Sequence, residues 1–268
     1  MIASITILSF NRFSYLKNTI DCLLKSLNNR GSVEIIVVDN GSEDESPNYI
    51  KKLLEKKIID KAILFSENQG ISKGFNSGFA VSNPKSKYLI KLDCDIIIHD
   101  KGWLEEMDYL FEKYEEIGLL MLYQQNHPIL PKCKRISLDN KSFISLEEMI
   151  VGSACFTIPK KIIGQIGYFF EDHSYILFYD DIDYFIRLEI LGKKAYYLLS
   201  HQSSYQTDLD ESKYMNYNQQ KEPQYDLMNE FNKTLETNYL NGTFPLKRTY
   251  ERLDFLKIKG EKNKLLEL

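Results

Sequence analysis

Apolar residues in the first third of the chain fall into short continuous runs, separated by stretches with helical spacing. Leucines and isoleucines spaced three and four apart predict a helix over residues 15–27, and Ser46-Pro47 is typical of the start of a second helix over residues 48–57. The continuous runs are rich in β-branched residues and predict four strands: ITILSF (Ile5–Phe10), VEIIVVD (Val33–Asp39), KAILFS (Lys61–Ser66) and KYLIKLD (Lys87–Asp93). This alternation predicts an α/β fold with a mostly parallel sheet flanked by helices.

The second half of the chain has a different pattern. EEMIVGSACFTIPKKII (residues 147–163) predicts a strand that leads into a short helix after Pro159. DDIDYFIRLEILG (residues 180–192) predicts a helix closed by glycine, and KKAYYLL (residues 193–199) predicts a further strand. These elements extend the α/β domain, which we expect to cover residues 1–205.

The last part of the chain is predicted to be a C-terminal helical extension over residues 206–268. It begins with a stretch rich in Tyr, Asn and Gln, followed by two predicted helices near residues 225–236 and 246–266. The second helix has an apolar set between Tyr250 and Ile258, which we expect to pack against the core or to form a homo-oligomer with a second subunit.

Polar residues follow each of the four predicted strands. In open parallel sheets, ligands bind at the carboxyl ends of the strands. The residues at those ends are Asn11 and Arg12, then Asp39, Asn40 and Gly41, then Glu67, Asn68 and Gly70, and finally Asp93 and Asp95. The sequence therefore predicts a polar site of nucleotide size at this edge.

Composition excludes several classes of protein. With 268 residues, 43% apolar and 27% charged, the chain has the make-up of a soluble globular protein. A net charge of −4 gives no bulk attraction to nucleic acid, and no apolar run is long enough to cross a bilayer. The four cysteines have no C-x-x-C spacing and the first residues lack a signal-peptide pattern, so we expect a cytoplasmic protein.

Asp93 and Asp95 form a D-x-D pattern at the end of an apolar run. Residues two apart project to the same side of a strand, so the two carboxylates should lie together. Two like charges there are costly unless a cation, a hydrogen-bond donor or water meets them. The spacing is common by chance and recurs at Asp181/Asp183 and Asp208/Asp210, so a metal site and a hydrated strand end both remain open.

Several motifs in a fixed order resemble the family 2 glycosyltransferases, which are inverting enzymes of the GT-A (Rossmann-like) fold that use nucleotide-diphosphate sugars. ITILSFNR is similar to the opening strand of that family, VEIIVVDNGSEDES to its acidic nucleotide-binding turn, and ENQGISKGFNSGF to its N-x-G segment. LIKLDCD is similar to the D-x-D motif, and it is followed by GWLEEM, by the segment from VGSACF to KKAYYL, and by HQSSYQ. The resemblance covers roughly residues 1–205.

The resemblance implies a donor site with a divalent metal. It makes Asp95 a direct metal ligand, His201 a late second ligand, and Asp93 a contact of the ribose or of a metal-bound water. Oxygen ligands suit Mg2+ or Mn2+, and an imidazole favours Mn2+. Asp39 is the candidate for reading the nucleobase, although its turn is also typical of an Asx turn. The other donor-binding candidates are Asn11, Asn40, Asn68, Gly70, Gly74 and Asn76, where Gly70 and Gly74 suggest close approach to a ligand.

The resemblance also implies a catalytic base at Asp181, preceded by Asp180 where glutamate is usual. Which of the two carboxylates reaches the acceptor stays open. Acids also favour the first turn of a helix, and Asp183 and Arg187 have the spacing of an i,i+4 ion pair, so the cluster has a purely structural alternative.

The expected activity is metal-assisted transfer of a sugar, with a UDP-sugar as the favoured donor, to a hydroxyl of a glycan or lipid-linked acceptor. This implies a role in polysaccharide biosynthesis and leaves open a peripheral contact with the inner face of the membrane. A sugar nucleotidyltransferase is an alternative, but it would need a glycine-rich basic loop where this chain has SFNRFSYLKN. A catalytically silent nucleotide- or glycan-binding domain is another. A receiver domain would not explain the second half.

Overall fold

The computed structural model describes residues 2–126, 134–145, 154–171, 180–206, 234–249 and 264–267. Its strands are β1 (Ala3–Ser9), β2 (Val33–Asp39), β3 (Lys61–Leu64), β4 (Tyr88–Asp93), β5 (Ile96–Ile98), β6 (Ile117–Gln124), β7 (Arg135–Leu138), β8 (Lys141–Ser145), β9 (Cys155–Pro159), β10 (Lys194–Tyr205) and β11 (Lys264–Glu267). Its helices are α1 (Phe13–Ser26), α2 (Ser46–Glu55), α3 (Ile71–Ala80), α4 (Trp103–Lys113), α5 (Lys160–Ile166) and α6 (Asp180–Ile190).

The centre of the sheet is parallel, as predicted, with the order β3-β2-β1-β4. In register, Ser9 pairs with Asp39 and Leu8 with Asp93, so the ends of β1, β2 and β4 lie at one edge. β9 then joins β4 and β6 in the antiparallel direction, and β10 runs parallel to β6. This edge, where the parallel strands end, is called the carboxyl edge below.

Helices cover both faces of the sheet, because alternate residues of each strand point to opposite sides. Ile90 and Leu92 of β4 belong to a core shared with α1, α2 and α4, whereas Leu89 belongs to a second core shared with α3, α5 and α6. The predicted α/β fold class, with a mostly parallel central sheet flanked by helices, is confirmed.

The C-terminal part differs from the prediction. Residues 234–240 are helical, while most of the helix predicted at residues 225–236 lies outside the described residues. The helix predicted for residues 246–266 is wrong at its two described ends, since residues 246–249 are not helical and β11 pairs antiparallel with β3. Leu266 packs there against the core of α1, α2 and α4, so an open sheet edge outweighed the helical spacing. The apolar set from Tyr250 to Ile258 lies outside the described residues.

None of the helices within the described ranges is long and apolar enough to cross a membrane.

Candidate active site at the carboxyl edge

β2 ends at Asp39, a buried carboxylate in a tight turn. Its Oδ2 accepts a hydrogen bond from the Ser42 N–H at 3.0 Å, while its Oδ1 is buried with no hydrogen-bond partner in the described part of the chain. Burial raises the pKa of Asp39 above its ordinary value. Gly41 adopts φ +83° and lies so close to Glu67 that a Cβ would sit 2.6 Å from the Glu67 Cα. The turn therefore holds one acceptor oxygen that no described group satisfies.

The asparagines predicted to bind the donor are brought together at this edge, but they bond to one another and to the loops. Asn40 Nδ2 donates to Asn68 Oδ1 at 2.9 Å and to the Gly70 carbonyl at 3.2 Å. Asn11, at φ +53°, accepts from the Glu43 N–H through its Oδ1 at 2.8 Å. These side chains join the ends of β1, β2 and β3, and so they shape the edge of the site.

The glycines around α3 have two separate roles. Gly70 precedes the helix at φ +85°, a conformation that favours glycine. A Cβ at Gly74 would overlap the Leu8 side chain of β1, and one at Gly78 would overlap Thr6. Gly74 therefore allows the helix to pack closely on the sheet, and a contact with the donor stays a prediction.

Asn76 of α3 connects this edge to the second half of the chain. Its Oδ1 accepts from the Phe169 N–H at 2.9 Å, and its Nδ2 donates to the Phe169 carbonyl at 3.0 Å and to Glu171 Oε1 at 2.7 Å. The residue is buried, so these contacts hold residues 169–171 against α3.

The two carboxylates of the D-x-D pattern each lie next to a cation of the protein. Arg12 Nη1 is 2.5 Å from Asp95 Oδ2, and Lys91 Nζ is 3.7 Å from Asp93 Oδ1. Lys91 is buried on the same side of β4 as Asp93, with its ammonium 5.0 Å from the centre of the Phe75 ring. The strand end thus contains two ion pairs before any ligand is considered.

Asp95 also fits a metal ligand. Its Oδ1 is buried and has no hydrogen-bond partner among the residues described. A buried carboxylate oxygen without a donor is the kind of ligand that Mg2+ and Mn2+ prefer. The D-x-D residues therefore suit a divalent cation at the carboxyl edge.

His201 is not brought to this cation site. Its Nε2 is 2.9 Å from Glu106 Oε2 of α4. Since β5 runs antiparallel to β10, Asp95 lies beside Gln206, whose N–H donates to the Asp95 carbonyl at 2.9 Å. His201 is five residues further along β10, roughly 15 Å away along the strand.

Two ligands of one metal ion lie within about 5 Å of each other, so this separation excludes joint ligation by Asp95 and His201 in this structure. It corrects the expectation that His201 completes the metal site. Its cause is the reversal of the chain at β5, which the linear order of motifs does not reveal. In the portion of the chain that is described, no group of three His, Cys, Asp or Glu side chains is arranged to hold a metal ion.

Asp180 and Asp181 begin α6, which ends close to the start of β10. Because β10 runs toward the carboxyl edge, α6 runs away from it and its first turn is the end nearer that edge. Asp181 is 8% exposed, and its Oδ1 accepts from the Ile182 N–H at 2.9 Å. The structure thus places the candidate base on the face of the sheet that also carries Asp93.

Asp183 has the structural role that its spacing allowed. It is fully buried with Arg187, whose Nε donates to its Oδ2 at 2.9 Å. The Tyr239 hydroxyl from the C-terminal part donates to the other oxygen of Asp183. This network fixes α6 against residues 234–249.

The sequence predicts Arg12 at the end of β1 without indicating its role, whereas Lys91 is a member of the site that sequence reasoning missed. The pairing of Arg12 with Asp95 is what the structure adds. Lys91 had a clearer signal, because a lysine inside an apolar strand run two residues before an aspartate has to find an anion.

Residues 4–180 match the sequence model of the family described as Glycosyl transferase family 2. The match covers well over half of the chain and contains Asp39, Asp93 and Asp95. The chain belongs to glycosyl transferase family 2. The family resemblance expected from the ordered motifs is thereby confirmed.

Two curated proteins are similar to parts of this family 2 glycosyltransferase. An uncharacterized glycosyltransferase of Nostoc sp. is 34% identical over 117 residues, which are 44% of this chain and 35% of that protein. The minor teichoic acid biosynthesis protein GgaA of Bacillus subtilis is 27% identical over 122 residues, 45% of this chain and 27% of that protein. The matched stretches are thus minor parts of both relatives.

Solved structures show the fold. The mannosyltransferase PcManGT from Pyrobaculum calidifontis, in complex with GDP-Man and Mn2+, superposes with a TM-score of 0.60 at 12% identity, covering 75% of this chain and 56% of that one. S. aureus TarS in complex with UDP superposes with a TM-score of 0.60 at 14% identity, covering 97% of this chain and 76% of that one. This family 2 glycosyltransferase therefore has the GT-A fold.

Proposed function

We propose that this family 2 glycosyltransferase transfers a sugar from a nucleotide-diphosphate donor, with a UDP-sugar favoured, to a hydroxyl group with inversion at the anomeric carbon. The observation that supports this most directly is the pair of buried carboxylate oxygens without partners in the described residues, Asp39 Oδ1 and Asp95 Oδ1. Asp39 ends β2 and Asp95 follows β4. These strands flank β1, so the two residues lie about two strand spacings, or roughly 10 Å, apart at the carboxyl edge. An extended ligand with donor groups at one end and a cation at the other would satisfy both.

Asp39 would bind the nucleoside end. Its Oδ1 can accept a hydrogen bond from a base N–H or a ribose hydroxyl, while its Oδ2 stays bonded to the Ser42 N–H. Asn11, Asn40 and Asn68 hold the surrounding loops in place. A site fixed in this way needs little reordering when the ligand arrives.

Asp95 and Asp93 would hold the divalent cation at the diphosphate end. The cation, when bound, neutralises the charge that builds on the leaving diphosphate. With His201 absent from this group, the remaining protein ligands are carboxylate oxygens, which accept Mg2+ and Mn2+ alike. GDP-Man and Mn2+ are bound in PcManGT, and this supports a nucleotide sugar and a divalent ion here.

Asp181 would act as the base. As the acceptor hydroxyl attacks the anomeric carbon, the bond from that carbon to the diphosphate oxygen breaks and the hydroxyl proton passes to the Asp181 carboxylate. Asp181 is 8% exposed, so its carboxylate is largely shielded from bulk water. Asp180 remains the alternative base.

The acceptor is proposed to be a glycan or a lipid-linked intermediate of a surface polymer. The teichoic acid role in the name of GgaA supports this class. Work at the cytoplasmic face of the membrane and assembly through the C-terminal part remain predictions of the same kind.

Thermal unfolding with UDP, GDP, dTDP and CDP, each with and without Mn2+, tests the donor assignment. A ligand at a hundred times its Kd adds about 2.7 kcal/mol to the free energy of unfolding, or about 5 to 10 °C for a chain of this size. We expect one nucleotide to raise the Tm in a Mn2+-dependent manner, and Asp95→Asn to lose the Mn2+ dependence. If none of the nucleotides raises the Tm, the proposed function is contradicted.

A further inference from the structure

The two carboxylates of the D-x-D pattern are paired with basic side chains that differ in their exposure to solvent. Lys91, the partner of Asp93, is only 5% exposed and lies against the rings of Phe75 and Phe156. Arg12, the partner of Asp95, is 24% exposed and extends from the loop between β1 and α1. Lys91 is therefore enclosed by its surroundings, whereas the guanidinium of Arg12 can reach solvent.

The backbone around Arg12 is held on both sides. The Asn11 N–H donates to Ser42 Oγ at 2.9 Å, and the Phe13 N–H donates to Asp44 Oδ2 at 2.9 Å. The guanidinium itself is 5.5 Å from the centre of the Tyr15 ring. A change in the position of Arg12 would therefore involve its long side chain and not the loop.

Asp95 needs a positive charge whether or not a ligand is bound. Its side chain is 19% exposed, and Asp93 lies two residues away on the same strand end. Leaving this carboxylate without a counter-charge is costly, and Arg12 provides that charge at 2.5 Å. A divalent cation has twice the charge of the guanidinium at a comparable distance, so it can replace Arg12.

We propose that Arg12 is a resident counter-cation of Asp95, which leaves the carboxylate when a divalent cation binds and then becomes available to the diphosphate of the donor. This inference rests on the proposed function. A guanidinium can bond a phosphate through two parallel N–H groups, so Arg12 would exchange one oxyanion partner for another.

The exchange has a thermodynamic consequence. Metal alone has to compete with Arg12 for Asp95, whereas metal with a nucleotide offers Arg12 a new partner. The nucleotide should therefore tighten metal binding by more than the direct contact between metal and phosphate provides. By linkage, the metal should tighten nucleotide binding by the same factor.

Titration of the free Mn2+ electron paramagnetic resonance signal, with and without saturating UDP, tests the proposal. We expect Arg12→Gln to bind Mn2+ alone about threefold to tenfold more tightly than the unchanged protein, because the competing charge is gone. The factor by which UDP tightens Mn2+ binding should fall at least about threefold in the same variant. Arg12→Lys keeps the charge and should stay within about twofold of the unchanged protein for the metal alone.

Lys17→Gln is the matched control, because it removes one positive charge from an exposed ion pair on the neighbouring helix and should change neither constant. Equal or weaker Mn2+ binding by Arg12→Gln would overturn the proposal, and so would a gain of equal size in Arg12→Lys. If the unchanged protein binds Mn2+ with UDP and Asp95→Asn does not, but Arg12→Gln behaves like the unchanged protein, only this inference fails. If the unchanged protein does not bind UDP with Mn2+ at all, the proposed function fails and the inference fails with it.

Discussion

Two parts of the proposed active site are built in opposite ways. The strand-end loops after β1, β2 and β3 are held by short polar contacts among themselves, such as Asn40 with Asn68 and Asn11 with Glu43. α6, which bears the candidate base, is held instead by a buried ion pair and by Tyr239 from the far end of the chain. The proposed donor side is therefore preorganised locally, and the proposed acceptor side depends on a distant segment.

The largest expected effect concerns the buried ion pair of α6. Asp183→Asn leaves the Arg187 guanidinium buried without its counter-charge, and we expect a loss of about 3 to 5 kcal/mol in the free energy of unfolding by urea. Asp21→Asn is the matched control, since Lys17 and Asp21 have the same i,i+4 spacing but are exposed. The control should lose no more than about 1 kcal/mol. Equal losses in the two variants would mean that the buried ion pair of α6 contributes no more to stability than the exposed ion pair of α1.

A smaller effect is expected where α3 packs on β1. Gly74→Ala forces a methyl group into Leu8 and should cost about 1 to 3 kcal/mol in the free energy of unfolding. Gly164→Ala in α5 has nothing within 4 Å of the added carbon and should be neutral or gain up to about 1 kcal/mol. If Gly74→Ala were as stable as Gly164→Ala, the proposed donor side would not depend on this close packing.

The smallest expected effect is the pH dependence that Asp39 contributes. Burial raises the pKa of Asp39, so the folded protein holds that proton more tightly than the unfolded chain. The contribution of this group to stability is fully present below the ordinary pKa of aspartate, about 4, and is lost as the pH rises through the folded-state pKa. Asp39→Asn has no such loss.

Urea unfolding at pH 4 and pH 7 measures this effect. The stability of Asp39→Asn relative to the unchanged protein should increase between the two pH values. If the difference in stability between the two proteins is the same at both pH values, the pKa of Asp39 is not raised by folding.

Much of the proposed donor side could be predicted from the sequence because its elements are local. Apolar runs of strand length and the polar residues that follow them are adjacent in the chain, so the parallel order of strands puts Asp39, Asp93 and Asp95 at one edge. The family of the chain was likewise accessible from the order of its motifs.

Contacts between distant segments could not be predicted in this way. His201 lies in a segment that resembles the family pattern, yet the reversal of the chain at β5 puts it beside Glu106. Gly74 also packs against the Leu8 side chain of β1, a contact that its spacing in the sequence does not reveal. Leu266 falls in a predicted helix, but in the structure it belongs to β11, which pairs with the edge of β3.

One nucleotide diphosphate is proposed to span the ends of β2 and β4. Isothermal titration of UDP with and without Mn2+ tests it most directly in the unchanged protein, Asp39→Asn, Asp95→Asn and the control Asp21→Asn. We predict that Asp39→Asn weakens UDP binding by the same factor with and without Mn2+, because an amide NH2 replaces the acceptor of the nucleoside end. Asp95→Asn should abolish the gain that Mn2+ provides and leave binding without Mn2+ undiminished. A full Mn2+ gain in Asp95→Asn, or unchanged UDP affinity in Asp39→Asn, would contradict this account.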